Sequence, residues 1–431
     1  MRINNKLNQL FAILFCCSTI LIFSQCKKPV EEKVISPLSI NTEHLDALYQ
    51  EIEVEGDSVG IIHIYSEYPD YKWKGDDDEG IACVDDASRA AIFYMRQYQL
   101  SHDPEHLRKG KMLMRFLLAM QAPNGYYYNF IWPDGKTHKD GITSTPDPNF
   151  WAWRTLWAFG EAVQVMDADD VLSKAIREQR QHLVRNILTH ADFRKTELDT
   201  TMGINFPTWL PKISGTDQAA IILSGLTLML QQASPDEFFP KDSVLSFMDH
   251  FAEGIMMMQI EEPDSLQDGA FLSWENLWHA YANIQSYALL MTGDELMDPH
   301  MISHAMYEID HFYPTVLKTG GLEHFQVRTT EEKTIRYETS NYSQIAYGRR
   351  PMIWAAVEAY KITKEERYLS LAKDLTAWFS GDNPAKLAMY DPATGRCFDG
   401  IISPTEINKN SGAESTIEAL LSLQALERVR A

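Results

Sequence analysis

The sequence predicts an all-α fold, an (α/α)6 toroid of six helical hairpins. Three observations carry it. From residue 38 onward apolar residues recur at helical spacing, with no run of strand alternation. The helices come in pairs across short polar links. The two members of each pair differ, one apolar almost all round and the other carrying a polar face, the marks of a helix covered on both sides and of one facing water.

The chain opens with a segment outside that pattern. Arg2 and Lys6 precede an uncharged apolar run over residues 10–23, too short for a spanning helix, so residues 1–25 read as a signal peptide. The end of this run, Phe23-Ser24-Gln25-Cys26, resembles the lipobox of bacterial lipoproteins, which implies lipidation at Cys26; a plain secretory signal is the alternative. Residues 26–37, polar and with two prolines, read as a tether, and residues 38–431 as a single toroid domain.

Residues 88–100 pair with 106–121 across SHDPE, and 150–166 with 171–190 across DADD. Residues 217–232 pair with 244–259, 275–291 with 300–313, and 342–360 with 367–379. The last helix, 414–429, is left for the segment 42–52 at the other end, and that pairing closes a ring. No longer motif repeats among the pairs, so a helical solenoid is the structural alternative.

The formal charge is −21, and cleavage before Cys26 removes Arg2 and Lys6 but no acid, which takes it to −23. Such a surface repels phosphate backbones and anionic membranes, so nucleic acid is not an expected partner and membrane attachment would run through the lipid alone. Cys83 and Cys397 remain after cleavage, as one disulfide or two buried thiols.

The links between pairs are long and rich in Asp, Trp, Tyr, Asn and Gly, as in GDDDEGIACVDD, GINFPTWLPKISGTDQ and DSLQDGAFLSWENLW. Stability would need only short links, and long loops in compact domains tend to carry function. Aromatics and carboxylates around the mouth of a ring describe an oligo- or polysaccharide cleft, where Trp and Tyr stack on sugar faces and acids take the hydroxyls.

Within these links Asp85-Asp86 stands out. One aspartate would cap the helix and Arg89 would neutralise the pair, but the second is surplus to capping and suits acid/base work. Glu414, in NSGAEST, enters the last helix; Glu275, beside Trp274, is the second candidate acid. Asp147, Asp217, Glu338, Tyr342 and Asp399 are candidate sugar contacts, the first two doubling as caps. Trp151, Trp209 and Trp274 are core or platform, and Trp132, in the FIWPDG turn, is the one expected to be exposed. GDDDEG lacks EF-hand spacing and reads as a solvated acidic turn; HExxH, zinc spacing, G-x-S-x-G and P-loop motifs are absent, so no metal or cofactor is expected.

CVDDASRA, WFSGDNPAKLAMYDPATGRCFDG and NKNSGAESTIEALLSL together resemble the six-hairpin glycosidase superfamily over most of residues 56–426. GDNP is similar to a segment of family 9 glycoside hydrolases, which place an aspartate base early and a glutamate acid on the last barrel helix. The resemblance implies an exported glycoside hydrolase with Asp85 or Asp86 as base and Glu414 as acid. Inversion would need the two carboxyls roughly 6.5–9.5 Å apart. A polysaccharide lyase or sugar epimerase on the same toroid would instead use His279, Tyr281 or Tyr337, and a non-catalytic glycan-binding lipoprotein is the third class. Arg328, Arg336, Arg349 and Arg350 cluster near one loop, as local cations for uronic acids or as helix-surface residues.

Overall fold

The computed structural model describes residues 38–232, 240–330 and 333–430. In chain order its helices are α1 (Glu43–Leu48), α2 (Val84–Ser101), α3 (Pro104–Ala119), α4 (Phe150–Val165), α5 (Val171–Thr189), α6 (Thr216–Gln231) and α7 (Lys241–Met256). There follow α8 (Gln285–Leu296), α9 (Pro299–Tyr307), α10 (Tyr313–Lys318), α11 (Arg350–Thr363), α12 (Glu366–Thr376) and α13 (Ala413–Arg430). The inner helices pack in a cycle, α2 on α4, α4 on α6, α6 on α8, α8 on α11, α11 on α13 and α13 back on α2. The ring is therefore closed, and a toroid rather than an open solenoid. Outside it α3, α5, α7, α9 and α12 each lean on the inner helix of their own pair, and α1 covers α13.

The apolar pattern explains which helix goes where. In α6 every residue from Thr216 to Met229 is buried, whereas α5 buries Leu172, Ile176, Leu183, Val184 and Ile187, one stripe at helical spacing. The inner helices approach closely where glycine permits: a Cβ on Gly160 would lie 2.8 Å from Leu228, and one on Gly225 2.8 Å from Leu156. Starts are set by short polar caps, Asp103 before Pro104, Asn149 before Phe150 and Asp170 before Val171.

Several expected elements differ. Residues 42–52 are helical only to Leu48; Tyr49–Val54 then pairs antiparallel with Asp57–Ile62. Glu55 and Gly56, both at positive φ, make the tight turn that this pairing needs. The helix expected over 275–291 begins only at Gln285, because Leu277–His279 pairs with His324–Thr330, which in turn pairs with Lys333–Ser340. The helix expected from 342 begins at Arg350, and Pro351 in its first turn marks that start. The segment 300–313 breaks after Tyr307 into a π-helical turn over Glu308–Phe312 before α10 resumes. Strand pairing was missed because short aromatic and β-branched runs inside long links have no periodicity of their own. The signal and tether expected over residues 1–37 lie outside the described residues. Among the described residues no helix is long and apolar enough to cross a membrane.

The π turn buries Glu308 under Phe271 N–H, Ser286 Oγ and the Tyr313 hydroxyl. Burial raises its carboxyl from 4.5 to about 7, against those three donors. A carboxyl raised on folding stabilises the fold fully below its unfolded value, and that contribution is lost as pH rises through about 7. Glu308→Gln, which keeps the shape and removes the charge, is expected to raise unfolding stability at pH 8 by ~2–3 kcal/mol and to leave it little changed at pH 4. Urea unfolding at the two pH values checks this; an equal effect at both would show that charge is not the cause.

Candidate active site

The starts of the inner helices converge on one mouth. The cap of α2 is neither aspartate but Cys83, whose Sγ accepts from the Asp86 N–H at 3.4 Å. Both Asp85 and Asp86 are thus released from capping, and, being one residue apart on a helix, they point some 100° apart. Asp86 turns inward, is 3% exposed, and pairs with Arg89 at 2.6 Å. Asp85 turns to the mouth and meets Arg154 of α4 at 2.5 Å, while Asn129 Oδ1 accepts from its backbone N–H. Cys83 and Cys397 are both free and buried.

Arg89 is the hub of the network. Besides Asp86 it reaches Glu414 at 3.0 Å and Glu418 at 3.1 Å, both on α13. Arg350 of α11 closes on Glu418 at 2.6 Å. The Tyr347 ring lies under three guanidinium groups, Arg89 at 5.0 Å, Arg350 at 5.1 Å and Arg154 at 5.3 Å, and its hydroxyl accepts from Arg154 at 2.9 Å. Burial opposes the Arg89 charge, but Glu414, Asp86 and Glu418 outweigh it and hold the guanidinium above its ordinary value.

The four carboxylates are not equivalent. Glu418 and Asp86 are enclosed, whereas the side chains of Asp85 and Glu414 are 18% and 37% exposed. Glu414 sits at the open mouth with protein on its other sides. Removal of water there raises its carboxyl, Asp86 and Glu418 add to the rise, and Arg89 opposes it. A raised carboxyl next to solvent is what a proton donor requires.

On the far wall His279 Nε2 faces Asp217 Oδ2 at 3.5 Å. Burial raises the Asp217 carboxyl and His279 draws it back. Tyr281, two residues on, accepts from Arg154 at 3.3 Å, so this wall and the carboxylate network share one arginine. His279 and Tyr281 also line a cavity of about 510 Å³ together with Glu323, His324, Gln344 and Arg349.

The other expected residues scatter. Glu275 does not enter a helix: it sits in the turn before Leu277–His279 at φ 48°, its N–H bonded to Ser214, its carboxyl raised by burial and by Asp199. Asp147 is exposed and receives the Thr145 hydroxyl; Asn149, not Asp147, caps α4. Asp399 accepts from Gly412 N–H and Ser415 Oγ and so holds the start of α13 rather than a ligand. Trp151 and Trp209 are buried, with indole N–H groups on Tyr127 O and His250 O, and present no free ring face. Trp132 is half-buried against His138, while Trp274 is 40% exposed, the reverse of the expected order. Glu338 stands exposed on the sheet 3.8 Å from His324, and Tyr342 is half-buried next to Ser343 of the cavity wall. Tyr337 bonds to Gln326 and Asn276 across the sheet. In GDDDEG, Asp76 Oδ1 accepts from the N–H groups of Asp78 and Glu79, while Glu79 receives the Tyr65 hydroxyl. No group of metal-binding side chains occurs among the described residues.

Sequence reasoning passed over Arg154, Glu418 and Tyr347. The signal was present for two of them, a lone charge inside the otherwise apolar FWAWRTLWAF and STIEALLSL. It also passed over an aromatic hairpin, Tyr65–Glu67 with Lys72–Lys74, whose Tyr65, Tyr68 and Trp73 are exposed and whose Ser66 O accepts from Ser411 N–H beside α13.

No family model matches this chain, and no curated protein is similar to it in sequence. Solved structures are similar in fold. A cellobiose 2-epimerase from Bacillus thermoamylovorans aligns at TM-score 0.59 and 12% identity, over 90% of this chain and 96% of that one. A family 76 glycoside hydrolase from a bovine Bacteroides thetaiotaomicron strain aligns at TM-score 0.57 and 13% identity, over 90% of this chain and 76% of that one. A polysaccharide lyase aligns at TM-score 0.51 and 10% identity, over 83% and 92%. Closed ring, inner and outer helices and these likenesses agree: the chain has the (α/α)6 toroid fold.

Proposed function

We propose that this protein is a glycan-processing enzyme that hydrolyses glycosidic bonds. The observation that carries the reading is the division of the carboxylates at the mouth: Asp85 and Glu414 reach solvent, while Asp86 and Glu418 are locked inside. Glu414, with its carboxyl raised, protonates the leaving oxygen; Asp85, oriented by Arg154, directs water to the anomeric carbon with inversion. Tyr65, Tyr68 and Trp73 beside α13 supply ring faces for further sugars. The fold neighbours, a family 76 glycoside hydrolase among them, support carbohydrate as the substrate class. Residues 1–37 are read as export signal and tether, with Cys26 as the lipidated residue that holds the enzyme at a membrane facing periplasm or cell surface.

A second reading rests on the His279–Asp217 pair beside Tyr281 and Arg154. A histidine backed by a buried carboxylate can abstract a proton next to a carbonyl or carboxylate, the step common to sugar epimerases and lyases. A cellobiose 2-epimerase and a polysaccharide lyase share the fold.

The chain lacking residues 1–26, incubated with neutral and uronic-acid polysaccharides, separates the two. Hydrolysis releases reducing ends with uptake of water; elimination gives an ultraviolet-absorbing unsaturated product; epimerisation gives neither but changes the sugar. Hydrolysis that survives His279→Gln but not Asp85→Asn supports the first reading; elimination or epimerisation that is lost in His279→Gln supports the second.

A further inference from the structure

We propose that Arg349 anchors a subsite for an acidic sugar, a uronic acid residue whose carboxylate is received in the cavity beside Tyr281. The inference rests on the carbohydrate reading and adds the substrate class.

Arg349 lines the 510 Å³ cavity and is only 5% exposed. Buried cations are normally paired, and its neighbours obey the rule: Arg350 meets Glu418, Arg89 meets Asp86, and Arg154 meets Asp85. Among the described residues Arg349 has no carboxylate within ion-pair distance. Its hydrogen bond is Nη2 to Gln344 Oε1 at 2.9 Å, with the Trp378 ring 5.6 Å from the guanidinium carbon. Gln344 cannot turn away, because its Nε2 donates to Gly320 O and Asn341 O and its Oε1 also accepts from Trp378 Nε1. One edge of the guanidinium is thereby fixed and the rest is left for the cavity.

Position adds to the case. Arg349 is the N-cap residue of α11, where the helix end is already positive and a cation is disfavoured. Burial lowers its pKa to about 10, a further mark of an uncompensated charge. Gly321, at φ 107°, passes so close that a Cβ would lie 2.2 Å from Nη2, so the backbone is shaped to admit this side chain. The acid on the same wall, Glu323, has His324 at 3.5 Å, and His279 has Asp217. A carboxylate bound by the planar guanidinium would supply the missing partner, and Tyr281 would place that sugar next to Arg154 and Asp85.

Calorimetry on the chain lacking residues 1–26 tests it, with oligogalacturonate and oligoglucuronate each beside its methyl ester. The acids are expected to bind about 10- to 100-fold more tightly than the esters. Arg349→Gln should abolish that preference, Arg349→Lys should keep part of it, and Tm should not fall in Arg349→Gln because an unpaired buried charge is removed. Equal binding of acid and ester, or a preference that survives Arg349→Gln, overturns the inference and leaves the carbohydrate reading standing. Should Arg349→Gln not fold, a structural role is shown if Arg349→Lys binds acid and ester alike. If none of these sugars binds while neutral glycans do, the subsite is refuted alone; if no glycan binds, both readings fall.

Discussion

Asp85→Asn is expected to lower kcat by about 10²–10⁴-fold with the fold retained, and Glu414→Gln to do the same. Asp86→Asn, one residue along, is expected to act mainly on stability. The difference comes from direction: Asp85 looks into the mouth, whereas Asp86 is buried against Arg89. Glu414 adds a pH signature. It acts protonated, and its carboxyl is raised by loss of water, Asp86 and Glu418, so activity should fall as pH rises through that raised value. In Glu414→Gln the residual rate should lose this limb. With an activated substrate whose leaving group needs no proton, Glu414→Gln should recover much of its rate and Asp85→Asn should not. Recovery of both, or of neither, would remove the assignment of acid and base.

Glu418→Gln is expected to cost ~3–5 kcal/mol of unfolding free energy, the largest stability effect in the ring. The carboxylate is fully buried between Arg89 at 3.1 Å and Arg350 at 2.6 Å, so its loss leaves Arg350 as an unpaired buried cation. Replacing both partners, Glu418→Met with Arg350→Met, should recover part of the loss, since an apolar pair of similar volume needs no compensation. Chemical denaturation of Glu418→Met, Arg350→Met and the double variant measures this. Additive losses would show that the pair is not coupled.

Much of the ring was legible in the sequence because burial on all sides and burial on one face leave different patterns, as in DQAAIILSGLTLML against HLRKGKMLMRFLL. Asp85, Glu414 and Asp217 stand at the entrances of inner helices, where the links predicted them. The failures share a cause. The sequence places Glu275 at the start of a helix over 275–291, but a strand from the next link, His324–Thr330, whose paired residues lie 45 to 49 positions on, captures Leu277–His279. Trp209 and Trp274 both lie among loop residues, and only packing against His250 distinguishes the buried ring from the open one.

The sequence alone determined the helical period, the pairing, the alternation of inner and outer helices and the acidic entrance to α2, since these follow from local spacing and from which faces must leave water. The tertiary structure alone decided that Cys83 rather than an aspartate caps α2, and that Asp85 and Asp86 part company. It also brought Arg89, Arg154, Arg350, Glu414 and Glu418 around Tyr347. Those contacts join residues up to 329 positions apart. Charge pairs at such separations are chosen by how the ring closes, and nothing in local spacing encodes the partner.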